Sequence, residues 1–159
     1  MEKDNKLSMV VFSGDMDKVM AALIIATGAA ASGMDVTMFF TFWGFKAIET
    51  EGALTGKGLF GRMLGLMNRG GVDTIGPSRF NFGGMGRWMM KKMMKDKNAA
   101  SLRELRDLAI ELGVKMMPCQ MTMEVMEISK DNLIPATTPP VGVAAFIDEA
   151  VHSKSTLFI

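Results

Sequence analysis

Two apolar runs constrain this chain more than any other feature. Lys6 to Ser13 contains Leu7, Met9, Val10, Val11 and Phe12, and Val36 to Phe42 is as apolar. A strand with one wet face alternates polar and apolar residues. Nearly continuous runs suit strands covered on both faces, as in parallel sheets. Between them, Asp17 to Ser32 reads as a helix, with Val19, Leu23 and Ala26 on one face and Gly33 to end it. Ser13-Gly14-Asp15-Met16-Asp17 forms the turn into that helix and offers N-cap residues. Strand, helix and strand in this order predict a parallel sheet with right-handed crossovers.

The second half repeats the pattern. Ser101 to Leu112 predicts a helix: Ser101 caps it, Glu104 completes a capping box, and Leu102, Leu105, Leu108, Ala109 and Leu112 form its apolar stripe. Gly113 follows as its C′ residue. Val114, Met116 and Met117 then form a short strand, Pro118 and Cys119 a turn, and Met123, Val125 and Met126 a helical stripe. Leu133-Ile-Pro-Ala136 reads as a short edge strand, where proline is tolerated. Pro140 is expected to start a helix reaching about His152, and Thr156-Leu-Phe-Ile159 to form the last strand. That makes five strands, two of them short, in a single domain spanning 1–159.

Chemistry points to Cys119, the only cysteine. It lies at a turn between a strand and a helix, where open α/β folds place ligands. A thiol at a helix N-terminus meets unpaired N–H groups and the positive end of the dipole, which favour the nucleophilic thiolate. The competing reading is a packed thiol, because free cysteine is among the most buried residue types. Gln120, Thr122 and Trp43, with Gly14 after the first strand, are candidate supporting residues. One cysteine excludes an internal disulfide framework and fits a reducing compartment. The start, Met1-Glu-Lys-Asp-Asn-Lys6, carries no apolar leader. The uncharged run from Val19 to Met34 is shorter than the roughly 20 residues a membrane span needs. A cytoplasmic protein is expected.

Other chemistries fail on residues. There is no phosphate-binding Gly-x-x-x-x-Gly-Lys-Ser/Thr loop. One cysteine and one histidine, His152, far apart in sequence, argue against a metal site. A phosphatase-like Cys-x5-Arg loop fails at Val125. A peroxiredoxin-like Thr-x-x-Cys fails at Met116, and a thioredoxin-like Cys-x-x-Cys at Thr122. No cofactor and no nucleic-acid partner are expected.

The segment 50–97 is chemically distinct. Lys57 to Lys97 holds nine Lys/Arg and two Asp, a net +7, against −6 for the remainder. Leu59 to Met67 predicts one short helix. Gly70-Gly71 and Gly83-Gly84 break the chain. Met85 to Lys95 predicts a basic amphipathic helix, with Met85, Met89 and Met93 on one face, Met90 and Met94 beside them, and Lys91, Lys92 and Lys95 nearby. Such a helix docks a partner or a membrane surface, or simply presents a solvated lysine face. The solvated face is preferred here to membrane contact. Residues 59–97 are also expected to pack over the mouth of the Cys119 site, as a mobile cover or a partner-docking surface, and not to span a membrane.

With these residues in view, the chain resembles the DsrE/DsrF/DsrH-like sulfur-transfer family. It is most similar to the DsrE-like branch with a Met-rich insertion. The likeness rests on Met116-Met-Pro-Cys-Gln-Met-Thr-Met-Glu-Val-Met-Glu-Ile128, and on Val10-Val-Phe-Ser-Gly-Asp-Met-Asp-Lys18, Val36-Thr-Met-Phe-Phe-Thr-Phe-Trp-Gly44 and Thr156–Ile159. It implies a three-layer α/β/α fold with a mostly parallel five-stranded sheet, assembled as a trimer or hexamer. It implies a sulfurtransferase or sulfur carrier holding sulfane sulfur as a persulfide on Cys119. Donor and acceptor proteins with reactive thiols would be its partners. The alternative is a non-enzymatic module that docks a protein or membrane surface through 50–97.

Overall fold

A computed structural model describes residues 4–159. The expectation about the first three residues lies outside that range. Four strands form a parallel sheet in the order β3-β2-β1-β4: β1 Asp4–Val11, β2 Asp35–Phe40, β3 Lys115–Pro118 and β4 Ser153–Phe158. Leu7 pairs with Val36 and with Ser155, and Met38 pairs with Met116. The apolar runs explain the arrangement. Met9, Val11, Met38 and Phe40 are essentially removed from solvent in the central strands, at roughly 1.5–3 kcal/mol per side chain.

α1 (Met16–Ala31) and α4 (Leu102–Glu111) pack together on one face. α6 (Val143–Val151) lies against β1 and β4. The step from β3 to β4 runs opposite to those from β1 to β2 and β2 to β3, so right-handed crossovers put α6 on the other face. Phe146 of α6 stacks on Phe39 of β2, with centroids 5.0 Å apart. The layers are therefore α/β/α, as expected.

Three expectations need correction. Among the described residues the sheet has four strands. In place of the fifth, residues 133–141 make only isolated bridges: Leu133 with Glu49, Thr137 with Met116 and Val141 with Cys119. Pro135, Pro139 and Pro140 lack the N–H that a continuous ladder requires. The following helix starts at Val143 rather than Pro140, because Val141 is held in extended pairing with β3 and Gly142 is the N-cap. In α4, Leu108 and Leu112 are exposed and Arg106 is buried instead. Its guanidinium reaches the Ala47 carbonyl at 3.5 Å and the Asp107 carboxylate at 3.3 Å. The Ser101–Glu104 capping box is formed, and Gly113 adopts a φ of 76°.

The 50–97 segment contains α2 (Leu59–Met67) and α3 (Met85–Asp96), close to their expected limits. Among the described residues, no helix is long and apolar enough to cross a membrane.

Candidate functional site

Cys119 is the N-cap of the short helix α5, Gln120–Val125. Its position follows from pairing on both sides. Its N–H donates to the Phe40 carbonyl (3.0 Å), which ties it to the end of β2. Val141 flanks it, donating to the Pro118 carbonyl and accepting from Gln120 N–H, both at 3.0 Å. The turn is thus clamped between β2 and the 139–141 strip. The residue is 8% exposed.

An N-cap side chain ordinarily accepts from the second or third N–H of its helix. Here that position carries a thiol and no side-chain cap bond. Met123 N–H donates to the Cys119 carbonyl (3.2 Å), while the N–H groups of Met121 and Thr122 have no backbone acceptor among the described residues. The helix has only six residues, so its first-turn N–H groups outweigh any macrodipole.

The candidate residues divide into two groups. Thr122 is buried, and its hydroxyl lies 3.0 Å from the Thr41 hydroxyl and accepts from Phe42 N–H at 3.2 Å. It therefore locks α5 to the end of β2. Gln120 turns to Glu124, donating at 3.0 Å. With Met123, Glu127, Lys57 and Pro140 it lines a groove of about 460 Å³ beside the turn. Trp43 and Gly14 belong elsewhere. They meet backbone to side, since a Cβ on Gly14 would stand 2.5 Å from the Trp43 carbonyl oxygen. Both line a second crevice that does not include Cys119.

The loop after β2 is a 3₁₀ helix, Phe42–Ala47. Its Gly44 fits directly on β1, where a Cβ would meet the Val11 carbonyl oxygen at 2.1 Å. Thr41, whose hydroxyl pairs with Thr122, was not singled out as a site residue. It closes the second apolar run, and only the fold shows that its hydroxyl meets α5.

The 50–97 segment reaches the site at one place. Glu127, at a φ of 53°, accepts from the N–H groups of Lys57 and Gly58, and these bonds hold its carboxyl below the usual range. Gly56 N–H donates to the Glu127 carbonyl. The rest of the segment spreads over the β1–α1 turn. Met16 N–H donates to the Gly76 carbonyl, and Ser78 N–H and hydroxyl both donate to Asp17. The contact on the α5 side is thus made by residues 56–58, ahead of the 59–97 stretch expected there, and it is made to Glu127.

Glu49 was also missed. It is 2% exposed, and its Oε2 has no hydrogen-bond partner among the described residues. Burial pushes its carboxyl up to about 7, partly opposed by the charge of Lys46. A Cβ on Gly70 would stand 2.1 Å from that oxygen. No sequence pattern marks a loop glutamate as buried.

A model of the DsrE/DsrF/DrsH-like family matches residues 3–158. The chain belongs to that family. It is 42% identical over 159 residues to the uncharacterized protein YrkE of Bacillus subtilis, covering 99% of each chain. It is 33% identical over 159 residues to the sulfur carrier protein DsrE2 of Allochromatium vinosum, again covering 99% of each. The crystal structure of YchN from E. coli superposes over the full length of both chains, with a TM-score of 0.56 at 10% identity, a likeness of fold.

Proposed function

We propose that this DsrE-like protein is a sulfur carrier or sulfurtransferase that holds sulfane sulfur as a persulfide on Cys119. The supporting observation is a thiol at an N-cap position, at the C-terminal end of β3, with the Met121 and Thr122 N–H groups left without backbone acceptors among the described residues. Family membership and the relative named as a sulfur carrier support the same reading.

The reaction is redox-neutral. The Cys119 thiolate attacks the outer sulfur of a donor persulfide. The donor S–S bond breaks, its thiolate leaves with the electron pair, and Cys119 carries the outer sulfur. An acceptor thiolate then repeats the attack on that sulfur and releases Cys119. No second cysteine is needed within the chain, and donor and acceptor are partner proteins with reactive thiols. A reducing compartment such as the cytoplasm is part of this reading. Cys119 is mostly covered, so loading requires local opening around the turn, whose neighbours Gln120 and Met123 line the adjacent groove.

Homo-oligomerisation, as a trimer or hexamer, belongs to the same proposal. Its support is the exposed apolar surface of α2 and α3, including Leu59, Phe60, Met67 and Trp88. Light scattering that gives a monomer mass would reject it.

Incubation with a persulfide donor, followed by intact mass, tests the chemistry. The expected result is a gain of about 32 Da, one sulfur atom, removed by a thiol reductant and lacking in Cys119→Ser. An unmodified thiol after exposure to several competent donors would overturn the reading.

A further inference from the structure

The second crevice, of about 580 Å³, lies between the β1–α1 turn, the Phe42–Ala47 helix and the 50–97 segment. Its lining is mostly polar and includes Lys18, Lys46, Arg87, Asn68, Asn81 and Asp15. It opens at the C-terminal end of the sheet, where parallel α/β folds receive ligands.

Its charges are unbalanced. Asp15 is the single carboxylate of the lining, and it is engaged by Lys18 at 2.9 Å and by the Ser13 hydroxyl at 3.1 Å. Arg87 donates through Nη1 to the Thr74 carbonyl at 2.7 Å. That oxygen carries no formal charge, so the guanidinium has no counter-ion among the described residues. Lys46 is half-buried and, among the described residues, has neither a hydrogen bond nor an ion pair. Glu49 and Asp15 act on it only at longer range, and Arg87 acts on it repulsively. Burial leads the causes that push its ammonium downward, with the Arg87 charge adding to them. Two cations thus line one polar crevice whose single carboxylate, Asp15, is already engaged by Lys18 and Ser13. That arrangement costs energy when empty and is relieved by a bound anion.

We propose that this crevice binds a small, multiply charged oxyanion, held by Lys46 and Arg87 with Asn81 beside them. Arg87 has donors left for a planar, two-point contact, and Lys46 supplies a point charge. The site does not depend on the persulfide chemistry of Cys119. It is linked to that residue through one element: Thr122 holds the N-terminal end of the 3₁₀ helix whose Trp43 and Lys46 line the crevice.

The test is calorimetric titration with sodium sulfate and with sodium phosphate, against sodium chloride at matched ionic strength. Trp43 fluorescence serves as a second readout in a Trp88→Phe background, since Trp88 is exposed. Saturable binding of sulfate or phosphate, absent for chloride, is expected. Lys46→Gln should weaken it by about tenfold or more, as loss of one charge-assisted contact does. Arg87→Gln should weaken it at least as much, and Cys119→Ser should bind as the parent does. Lys46→Gln removes no internal hydrogen bond, so it keeps the test valid if Arg87→Gln fails to fold. No saturable binding, an equal response to chloride, or undiminished binding by Lys46→Gln would each overturn the proposal. Loss of persulfide formation with binding intact would count against the sulfur-carrier reading alone.

Discussion

In β2 every residue after Asp35 is buried, whereas α2 and α3 bury one residue each, Gly65 and Gly86. The sheet is held by side chains that fill a common core. The two helices of the 50–97 segment are held by close backbone approach. A Cβ on Gly65 would stand 2.1 Å from the Thr55 carbonyl oxygen, and one on Gly86 2.1 Å from that of Phe80. Apart from Leu64 and Met94, which pack against the core, their Met, Leu and Phe side chains face outward: Leu59, Phe60 and Met67 are each about four-fifths exposed. Similar hydrophobicity therefore serves two ends, a core in one region and an unburied surface in the other.

Truncation should separate the regions most sharply. Phe40→Ala is expected to cost about 3–5 kcal/mol, the transfer and cavity terms of a buried aromatic. Phe60→Ala should change the stability of the isolated chain by less than about 0.5 kcal/mol. Urea unfolding of both variants measures the contrast. A comparable loss at Phe60 would mean that α2 is covered in solution and would point to a subunit contact.

Glu49 sits where the regions meet, and its pH dependence gives the next largest effect. Its folded-state carboxyl lies at about 7, above its ordinary value of 4.5. Between those limits the native protein keeps a proton that the unfolded chain has lost. Stability from this group is therefore greatest at low pH and declines as pH rises through the window, by roughly 3 kcal/mol in all. It levels off above about pH 7. Glu49→Gln should remove this decline and leave the protein more stable than the parent at pH 8. Parallel unfolding curves for parent and variant from pH 5 to 8 would show that the carboxyl finds a partner in solution.

How much of this was legible in the sequence follows the same division. The core strands were readable because continuous apolar runs have few other outcomes. α4 and its cap were readable because the Ser101–Glu104 box is local chemistry. The fifth strand was not, because residues 133–141 meet their neighbours only through isolated bridges at Leu133, Thr137 and Val141, with prolines between them. Cys119 was legible as a turn thiol, but its supporting residues were only partly so. Thr122 reaches Thr41 across 81 positions, and Trp43 and Gly14 proved to share a different crevice. Buried Arg106 and Glu49 were invisible to periodicity, since each is defined by what packs on it.

The glycines give a third, local test. Gly65→Ala and Gly86→Ala each force a Cβ into backbone, an overpacking expected to cost about 1–3 kcal/mol. Because the helices bury little else, the loss should fall on the segment and not on the sheet. Hydrogen exchange should quicken within α2 or α3 and remain unchanged in β1 and β2. Exchange that quickens throughout would show that the segment and the sheet unfold as one unit.

The smallest expected effect on folding comes from the surface lysines of α3. Lys91 contacts the Asp73 carboxylate at 3.5 Å and its carbonyl at 2.9 Å, and Lys92 pairs with Asp96 at 2.8 Å. Exposed pairs of this kind contribute about 0–1 kcal/mol. Reversing Lys91, Lys92 and Lys95 to Glu takes the 57–97 stretch from +7 to +1. The stability of the sheet should stay within about 0.5 kcal/mol of the parent. Association with an acidic acceptor protein should respond far more, and the parent's advantage should shrink as salt rises. Sulfur transfer from loaded protein to such an acceptor, at low and high salt, reads the difference. Slower transfer with Cys119 loading intact assigns the segment a docking role. Equal transfer at low salt makes these lysines a solvated face, and leaves the exposed methionines of α3 to be explained by contact between copies of the chain.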